Sequence, residues 1–89
     1  MITMTNYTYK AAHYPNNVSW YRELVYLDDQ LVAEINEPAD STFANKIYNV
    51  RKYEPLQVVD DVVYILGKDL AQFNTVCDCK DYINNGGIK

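Results

Sequence analysis

Cysteine, histidine, glycine and proline are all scarce in this chain of 89 residues, which has two cysteines, one histidine, three glycines and three prolines. Two cysteines cannot build the disulfide framework of a small secreted domain, so we expect reduced thiols and a cytoplasmic protein. The histidine with Cys77 and Cys79 gives three soft ligands, one fewer than a closed structural zinc site needs. Gly67 and Gly86-Gly87 do not form a phosphate-binding loop.

Long apolar runs and clustered cations are missing as well. The longest uninterrupted apolar run, residues 62–66, is too short to span a bilayer, and the first residues lack the cationic and apolar regions of a signal peptide. The net charge is −4, whereas binding through phosphate neutralisation needs clustered lysines and arginines. We therefore predict a single domain over residues 1–89 that contacts neither a membrane nor nucleic acid directly.

A paired Asp-Asp occurs twice, each time in the same apolar frame. The pattern N-V-x-x-Y-x-x-L-x-x-x-D-D spans residues 17–29 and returns 32 positions later at 49–61, with six of thirteen positions identical. Residues that favour strands flank each acidic pair, which is typical of a β-hairpin with the acids at its turn. For the second pair, a bulge within one strand is the alternative, since acids buried inside a ladder are costly. We predict hairpins near 18–36 and 56–66.

The register of the first hairpin depends on the length of its loop. A two-residue loop would set Glu23 directly opposite Glu34, and like charges in that position destabilise a strand pair. A three-residue loop over 28–30 avoids this contact, and we prefer it. The longer loop predicts the following contacts: Leu27 opposite Leu31, Val25 opposite Ala33, and Arg22 diagonal to Glu34.

The C-terminal region predicts a helix over about 75–85. Thr75 with Asp78 has the spacing of a capping box, Gly86-Gly87 can end the helix, and Cys79 falls on its inward face. The fold class is then α+β: an antiparallel sheet of three to five strands with this helix packed on one face.

The sequence pattern does not determine a single secondary structure for the middle of the chain. Residues 41–49 fit either a second short helix or another strand, because apolar residues recur there at both spacings. Pro55 cannot donate a backbone hydrogen bond to a strand ladder. We therefore expect the strand over 50–59 to lie at a sheet edge, or to enter the sheet after Pro55. Residues 67–72 are interpreted as a connection.

The Asp pairs invite a metal site, because carboxylates are suitable ligands for Mg²⁺ or Ca²⁺. Adjacent residues of a strand point to opposite faces, so one pair rarely chelates alone. Nuclease chemistry would also use a lysine beside an acid on a strand, and Glu34-Ile35-Asn36 lacks it. A small metal-dependent hydrolase or nuclease using both pairs is therefore the alternative function, and we predict no catalytic residue, metal or cofactor.

Acidic and aromatic residues are interleaved between residues 21 and 40. Six acids and no base lie between Glu23 and Asp40, and the chain contains nine tyrosines, which suit a recognition surface. Carboxylates with aromatics can imitate the charge and stacking face of nucleic acid. The predicted partner-binding residues are Tyr21, Glu23, Tyr26, Asp28, Asp29, Glu34, Glu37 and Asp40.

In general character, this short, acidic, tyrosine-rich chain resembles the small inhibitors that phages and mobile elements direct against host machinery, such as anti-CRISPR and anti-restriction proteins. The resemblance implies a non-enzymatic protein that occludes a basic, nucleic-acid-binding surface of a larger host protein or complex. A further alternative is a structural subunit that forms a homo-oligomer through exposed tyrosines.

Overall fold

Five antiparallel strands form the main sheet of this computed structural model, which describes residues 6–12, 21–54, 57–64 and 67–89. The elements are β1 (Tyr7–Ala11), β2 (Arg22–Leu27), β3 (Gln30–Asn36), β4 (Tyr48–Tyr53), β5 (Gln57–Val59), β6 (Val62–Tyr64), β7 (Gly67–Phe73) and α1 (Val76–Asn84). The sheet order is β1-β2-β3-β4-β7, and β5 pairs with β6 in a separate hairpin between β4 and β7. The predicted α+β class, with an antiparallel sheet and a C-terminal helix packed on it, is confirmed.

The first hairpin combines the two registers considered from the sequence. Its turn has two residues, because Leu27 pairs directly with Gln30, so the preferred three-residue loop is wrong. A bulge at Val32 then shifts the register, and Val25 pairs with Ala33 as predicted. The predicted residues 18–20 of this hairpin lie outside the described residues.

The bulge also removes the expected conflict between like charges. Glu23 pairs with Ile35, and Glu34 pairs with Leu24. Arg22 lies diagonal to Glu34 as predicted, with 3.1 Å between Nε and Oε2. A compact turn and a favourable charge pattern therefore coexist in one hairpin.

The middle of the chain forms strand rather than helix. A helix near 41–49 is wrong: residues 43–45 form a bend, and β4 begins at Tyr48. Strand β4 ends at Tyr53 and lies inside the sheet between β3 and β7, so it does not have the predicted edge position. Pro55 lies outside the described residues, and β5 begins after it at Gln57. Residues 67–72, predicted as a connection, belong to the edge strand β7 because they pair with β4.

The helix is determined locally and covers one face of the sheet. The Thr75 hydroxyl accepts the backbone N–H of Asp78, and Gly86 follows the helix with φ 93°. Cys79 and Ile83 are buried, as their predicted inward face requires. The buried apolar core consists of Val25, Ala33, Ile35 and Val50 from the sheet with Cys79, Ile83 and Ile88.

Candidate functional site

Both Asp-Asp pairs occupy two-residue turns of the same kind. The φ angles are 51° and 66° at Asp28 and Asp29, and 50° and 63° at Asp60 and Asp61. Positive φ at both central residues is the type I′ geometry, whose twist matches that of the flanking strands. All four residues are exposed. The prediction of two hairpins with acids at their turns is confirmed, and the sequence repeat corresponds to a repeated turn.

The two acidic turns are associated with the same end of the main sheet. Strand β2 runs towards the first turn, β3 runs away from it, and β4 returns towards it. At that end Tyr53, the last residue of β4, pairs with Gly67, the first residue of β7. The β5–β6 hairpin is inserted between these two residues, so the chain leaves and re-enters the sheet there. We call this the acidic end, defined by Asp28, Asp29 and the Asp60-Asp61 hairpin.

A shallow groove of about 290 Å³ adjoins the first acidic turn, lined by Thr8, Lys10, Tyr26 and Asp29. Thr8 pairs with Tyr26 across β1 and β2. Tyr26 is half-buried and Asp29 is exposed, so an aromatic ring and a carboxylate border one opening. Lys10 adds one cation at its rim. The groove thus combines groups that recognise a guanidinium or a peptide.

Glu23 and Tyr21, both predicted to contact a partner, are engaged within the molecule. Glu23 is 8% exposed, and its Oε1 lies 3.1 Å from Nζ of Lys80 on the helix. The Tyr21 hydroxyl donates to Glu23, and burial together with this carboxylate raises the pKa of Tyr21. Its ring meets Tyr48 edge-on at 5.5 Å. Lys80 also lies 4.6 Å from the ring centroid of Tyr9. These contacts fix the helix to the sheet.

Glu34 is likewise internal, at 4% exposure, on the central strand. Its Oε1 accepts from the Tyr53 hydroxyl at 2.9 Å, and its Oε2 accepts from Nε of Arg22 at 3.1 Å. Burial and the Glu34 carboxylate raise the pKa of Tyr53 to about 12. The carboxylate joins β2, β3 and β4, and its small exposure leaves little of it for a partner.

Glu37, 9% exposed, organises the connection between β3 and β4. Its Oε1 accepts the backbone N–H of Tyr21 at 3.0 Å. Its Oε2 accepts from the Ser41 hydroxyl at 2.8 Å and lies 3.2 Å from Nζ of Lys46. Burial alone would raise the pKa of Glu37, but these hydrogen bonds and the Lys46 charge hold it below its usual value. Asp40 is exposed in the same connection, at the end of the sheet opposite the acidic end.

The predicted partner-binding residues therefore divide into separate groups. Asp28, Asp29 and Tyr26 share the acidic end, whereas Asp40 lies at the other end. Tyr21, Glu23, Glu34 and Glu37 make internal contacts. Asp60 and Asp61 are not among the predicted partner-binding residues, yet both are exposed on a turn equivalent to the first. The repeated frame was the signal that could have placed them in the site.

Soft ligands and metal-binding groups are spread through the described part of the chain rather than gathered. No group of three or more His, Cys, Asp or Glu side chains there could hold a metal ion. Cys79 is buried with Sγ 3.8 Å from the Tyr48 carbonyl, and burial raises the pKa of its thiol to about 11, while Cys77 is exposed. His13 lies outside the described residues.

No helix within the described ranges is long and apolar enough to cross a membrane. Comparisons with protein-family models, curated proteins and solved structures find no match to the chain.

Proposed function

We propose that this is a non-enzymatic, cytoplasmic binding protein whose acidic end occludes a basic, nucleic-acid-binding surface of a larger host protein or complex. Its role would be that of a phage or mobile-element inhibitor, which imitates the charge of nucleic acid. The observation that carries the proposal is the presence of four exposed carboxylates on two turns of the same type, one within the main sheet and one in the hairpin inserted between β4 and β7.

The choice of residues in the turns supports a role for their charge. Type I′ turns favour Asn-Gly, because glycine adopts positive φ without steric cost. Aspartate tolerates this region better than most residues but still bears a cost. The chain accepts that cost at Asp28, Asp29, Asp60 and Asp61. Strained backbone at exposed positions is a reason to suspect function, and what these residues add over Asn-Gly is negative charge.

The turns also hold the carboxylates in a fixed position, which lowers the entropic cost of binding. An aspartate side chain is short, and each turn is fixed by the strands on both sides, so little conformational entropy is lost when a partner binds. With a net charge of −4, long-range attraction would speed encounter with a cationic surface and make association depend on salt.

The groove beside the first turn suggests which basic side chain would be preferred. Tyr26 can stack against a planar guanidinium, and Asp29 can accept its hydrogen bonds. A lysine ammonium is a compact charge without a planar face. We therefore expect arginine-rich surfaces to bind more tightly than lysine-rich ones.

The first experiment measures binding of a labelled arginine-rich peptide by fluorescence anisotropy at low salt. The variant Asp28→Asn/Asp29→Asn should lower affinity about fivefold, and the quadruple variant with Asp60→Asn/Asp61→Asn about thirtyfold, if each exposed ion pair contributes about 0.5 kcal/mol. Each substitution keeps the side-chain size and removes only the charge. A lysine-rich peptide of equal length should bind more weakly to the wild type.

The matched control is Asp78→Asn/Asp81→Asn, which removes the same charge as the first double variant from exposed positions on the helix. It should retain most of the affinity. Equal loss from this control and from the turn variant would show a non-specific effect of net charge, and unchanged affinity in the quadruple variant would contradict the proposal. Capture from a host lysate then tests the role: the wild type should retain a nucleic-acid-binding complex that the quadruple variant does not.

A further inference from the structure

The end of the sheet opposite the acidic end presents a phenylalanine to solvent. Phe43 is 98% exposed, which is an unusual position for a large hydrophobic side chain. It belongs to residues 38–47, which connect β3 to β4, and we call this segment the Phe43 loop. An aromatic ring displayed in this way is suited to contact another molecule, because aromatic residues are frequent at the centres of protein interfaces.

Hydrogen bonds hold the Phe43 loop in one shape. The buried Glu37 carboxylate accepts from the Ser41 hydroxyl at 2.8 Å, and the Ser41 oxygen accepts the backbone N–H of Ile47 at 3.0 Å. Closer to Phe43, the N–H of Thr42 donates to the Asn45 carbonyl, and the N–H of Asn45 donates to the Thr42 hydroxyl, both at 3.0 Å. The ring is thus displayed by a preorganised loop, which lowers the entropic cost of binding.

A depression of about 230 Å³ lies beside the same loop, lined by Asn45, Ile47, Gln72, Phe73 and Asn74. Ile47 and Phe73 give it an apolar part, and the remaining three residues are polar. An apolar cavity of about 150 Å³ is enough to hold benzene, so the open depression has the volume for a phenyl ring packed against Ile47 and Phe73. Phe43 of the same chain does not occupy it, since that ring is almost fully exposed.

We propose that the protein associates with a second copy of itself, with Phe43 of each copy inserted in the depression of the other. A two-fold interface needs a surface that complements itself, and here the ring and the depression share one loop through Asn45. The charges of the Phe43 loop also favour a second copy of the chain as its partner. The Phe43 loop carries one acid and one base, Asp40 and Lys46, both exposed. Lys46 lies 3.2 Å from Oε2 of Glu37 in its own molecule but is still exposed, so a two-fold axis can bring Asp40 of the other copy to it.

The dimer would direct its two acidic ends away from each other. This consequence rests on the proposed function: a dimer with two acidic ends could bind a basic partner that is itself repeated, and bivalence raises the effective affinity without new contacts. The interface is small, so we expect a weak dimer, with a dissociation constant on the order of 0.1 mM.

Sedimentation velocity over a range of concentrations from about 0.01 to 1 mM tests the proposal. The wild type should shift from monomer to dimer across this range. Phe43→Ala should raise the dissociation constant about a hundredfold, because the interface loses two rings. Gln72→Trp, which fills the depression, should have a similar effect. Amide NMR shifts that change on dilution should be confined to residues 40–47 and 72–74. A monomer at every concentration, or a dimer unaffected by Phe43→Ala, would overturn the inference.

The variant Asp28→Asn/Asp29→Asn is the matched control, because it alters the acidic end alone and should leave dimerisation intact. It also separates the two proposals. Phe43→Ala should keep the monomer's affinity for the arginine-rich peptide, whereas the turn variant should lose that affinity and still dimerise. A monomeric wild type in which Phe43→Ala weakens capture of the basic host complex would instead assign the ring to that partner, and binding of the wild-type monomer to phosphatidylcholine vesicles would assign it to a membrane. Either result would overturn self-association.

Discussion

At the acidic end of the sheet, Asp28 and Asp29 are exposed on a turn of two residues, whereas at the opposite end Glu37 is buried beneath the longer connection that it organises. The first turn is fixed by backbone pairing between Leu27 and Gln30 and needs nothing from its carboxylates. The connection between β3 and β4 takes its shape from the Glu37 carboxylate, which accepts several hydrogen bonds. The same functional group therefore has a different role at each end.

The difference shows why the count of acids between residues 23 and 40 overstated the binding surface. A buried carboxylate must be satisfied by hydrogen bonds or ion pairs inside the protein, and Glu23, Glu34 and Glu37 each are. An acid is available to bind a ligand only when no group inside the protein depends on it as a partner. Replacing acids of the two kinds should therefore separate effects on stability from effects on binding.

The largest effect on stability is expected from Glu34→Ala. The variant removes the buried carboxylate that accepts from both the Arg22 guanidinium and the Tyr53 hydroxyl, at a cost of about 3 kcal/mol. Urea unfolding followed by circular dichroism measures the loss. Asp40→Ala, an exposed acid from the same stretch of sequence, should change stability by no more than about 0.5 kcal/mol. Equal losses in the two variants would remove the distinction between internal and exposed acids.

Glu37→Gln should cost less, about 2 kcal/mol. The amide keeps an oxygen for the N–H of Tyr21, but it loses the charge that faces Lys46, and its NH₂ group cannot accept from the Ser41 hydroxyl. Hydrogen exchange should become faster in residues 38–47 while β2 and β3 keep their protection. If exchange in this loop is unchanged, the loop is not organised by the carboxylate.

Low pH should also destabilise the end of the sheet opposite the acidic end, because the Glu37 carboxylate becomes protonated. Glu37 has a folded-state pKa below its usual value, so its contribution to stability is complete above the unfolded pKa of about 4.3. That contribution is lost as the pH falls through the folded pKa. Stability should therefore decline below about pH 4.3, and the decline should be shallower in Glu37→Gln. Identical pH profiles for wild type and variant, measured by thermal unfolding, would contradict this assignment.

Local signals predicted the elements whose ends are set by neighbouring residues. The helix follows from Thr75 and Gly86, and the turns follow from the two Asp pairs. Strand β7 was missed because it is formed by pairing with β4, from an earlier part of the chain, and the pattern of 67–72 does not record that partner.

The contacts of the candidate site were likewise predicted only where nearby residues determine them. The diagonal contact of Arg22 with Glu34 was predicted from the three-residue loop, and it is present because the bulge at Val32 restores that register. The pairing of Glu23 with Lys80 depends on where the helix packs, which no local pattern gives. The exposure of Phe43 was not predicted either, because the apolar spacing over 41–49 fits both a helix and a strand and does not show which side chains pack inward.

A smaller effect, and in the opposite direction, is expected from Asp28→Asn/Asp29→Gly. Asn-Gly suits a type I′ turn, and glycine relieves the side-chain cost at φ 66°, so stability should rise by about 0.5 kcal/mol. The same change at Asp60 and Asp61 should mainly slow hydrogen exchange within 57–64, because that hairpin lies outside the main sheet. Both variants should bind the arginine-rich peptide less tightly. Loss of stability in either would mean that the aspartates serve the turn itself.

The smallest effect on stability is expected from Phe43→Ala, whose urea midpoint should match that of the wild type. The ring is 98% exposed and its removal opens no cavity, so the transfer and cavity terms that make core substitutions costly do not apply. The loop keeps its shape because its hydrogen bonds run through Glu37, Ser41 and Asn45 rather than through Phe43. A loss of more than about 1 kcal/mol would show that the ring packs within its own molecule. An unchanged monomer fold together with lost self-association would place the role of Phe43 entirely between molecules.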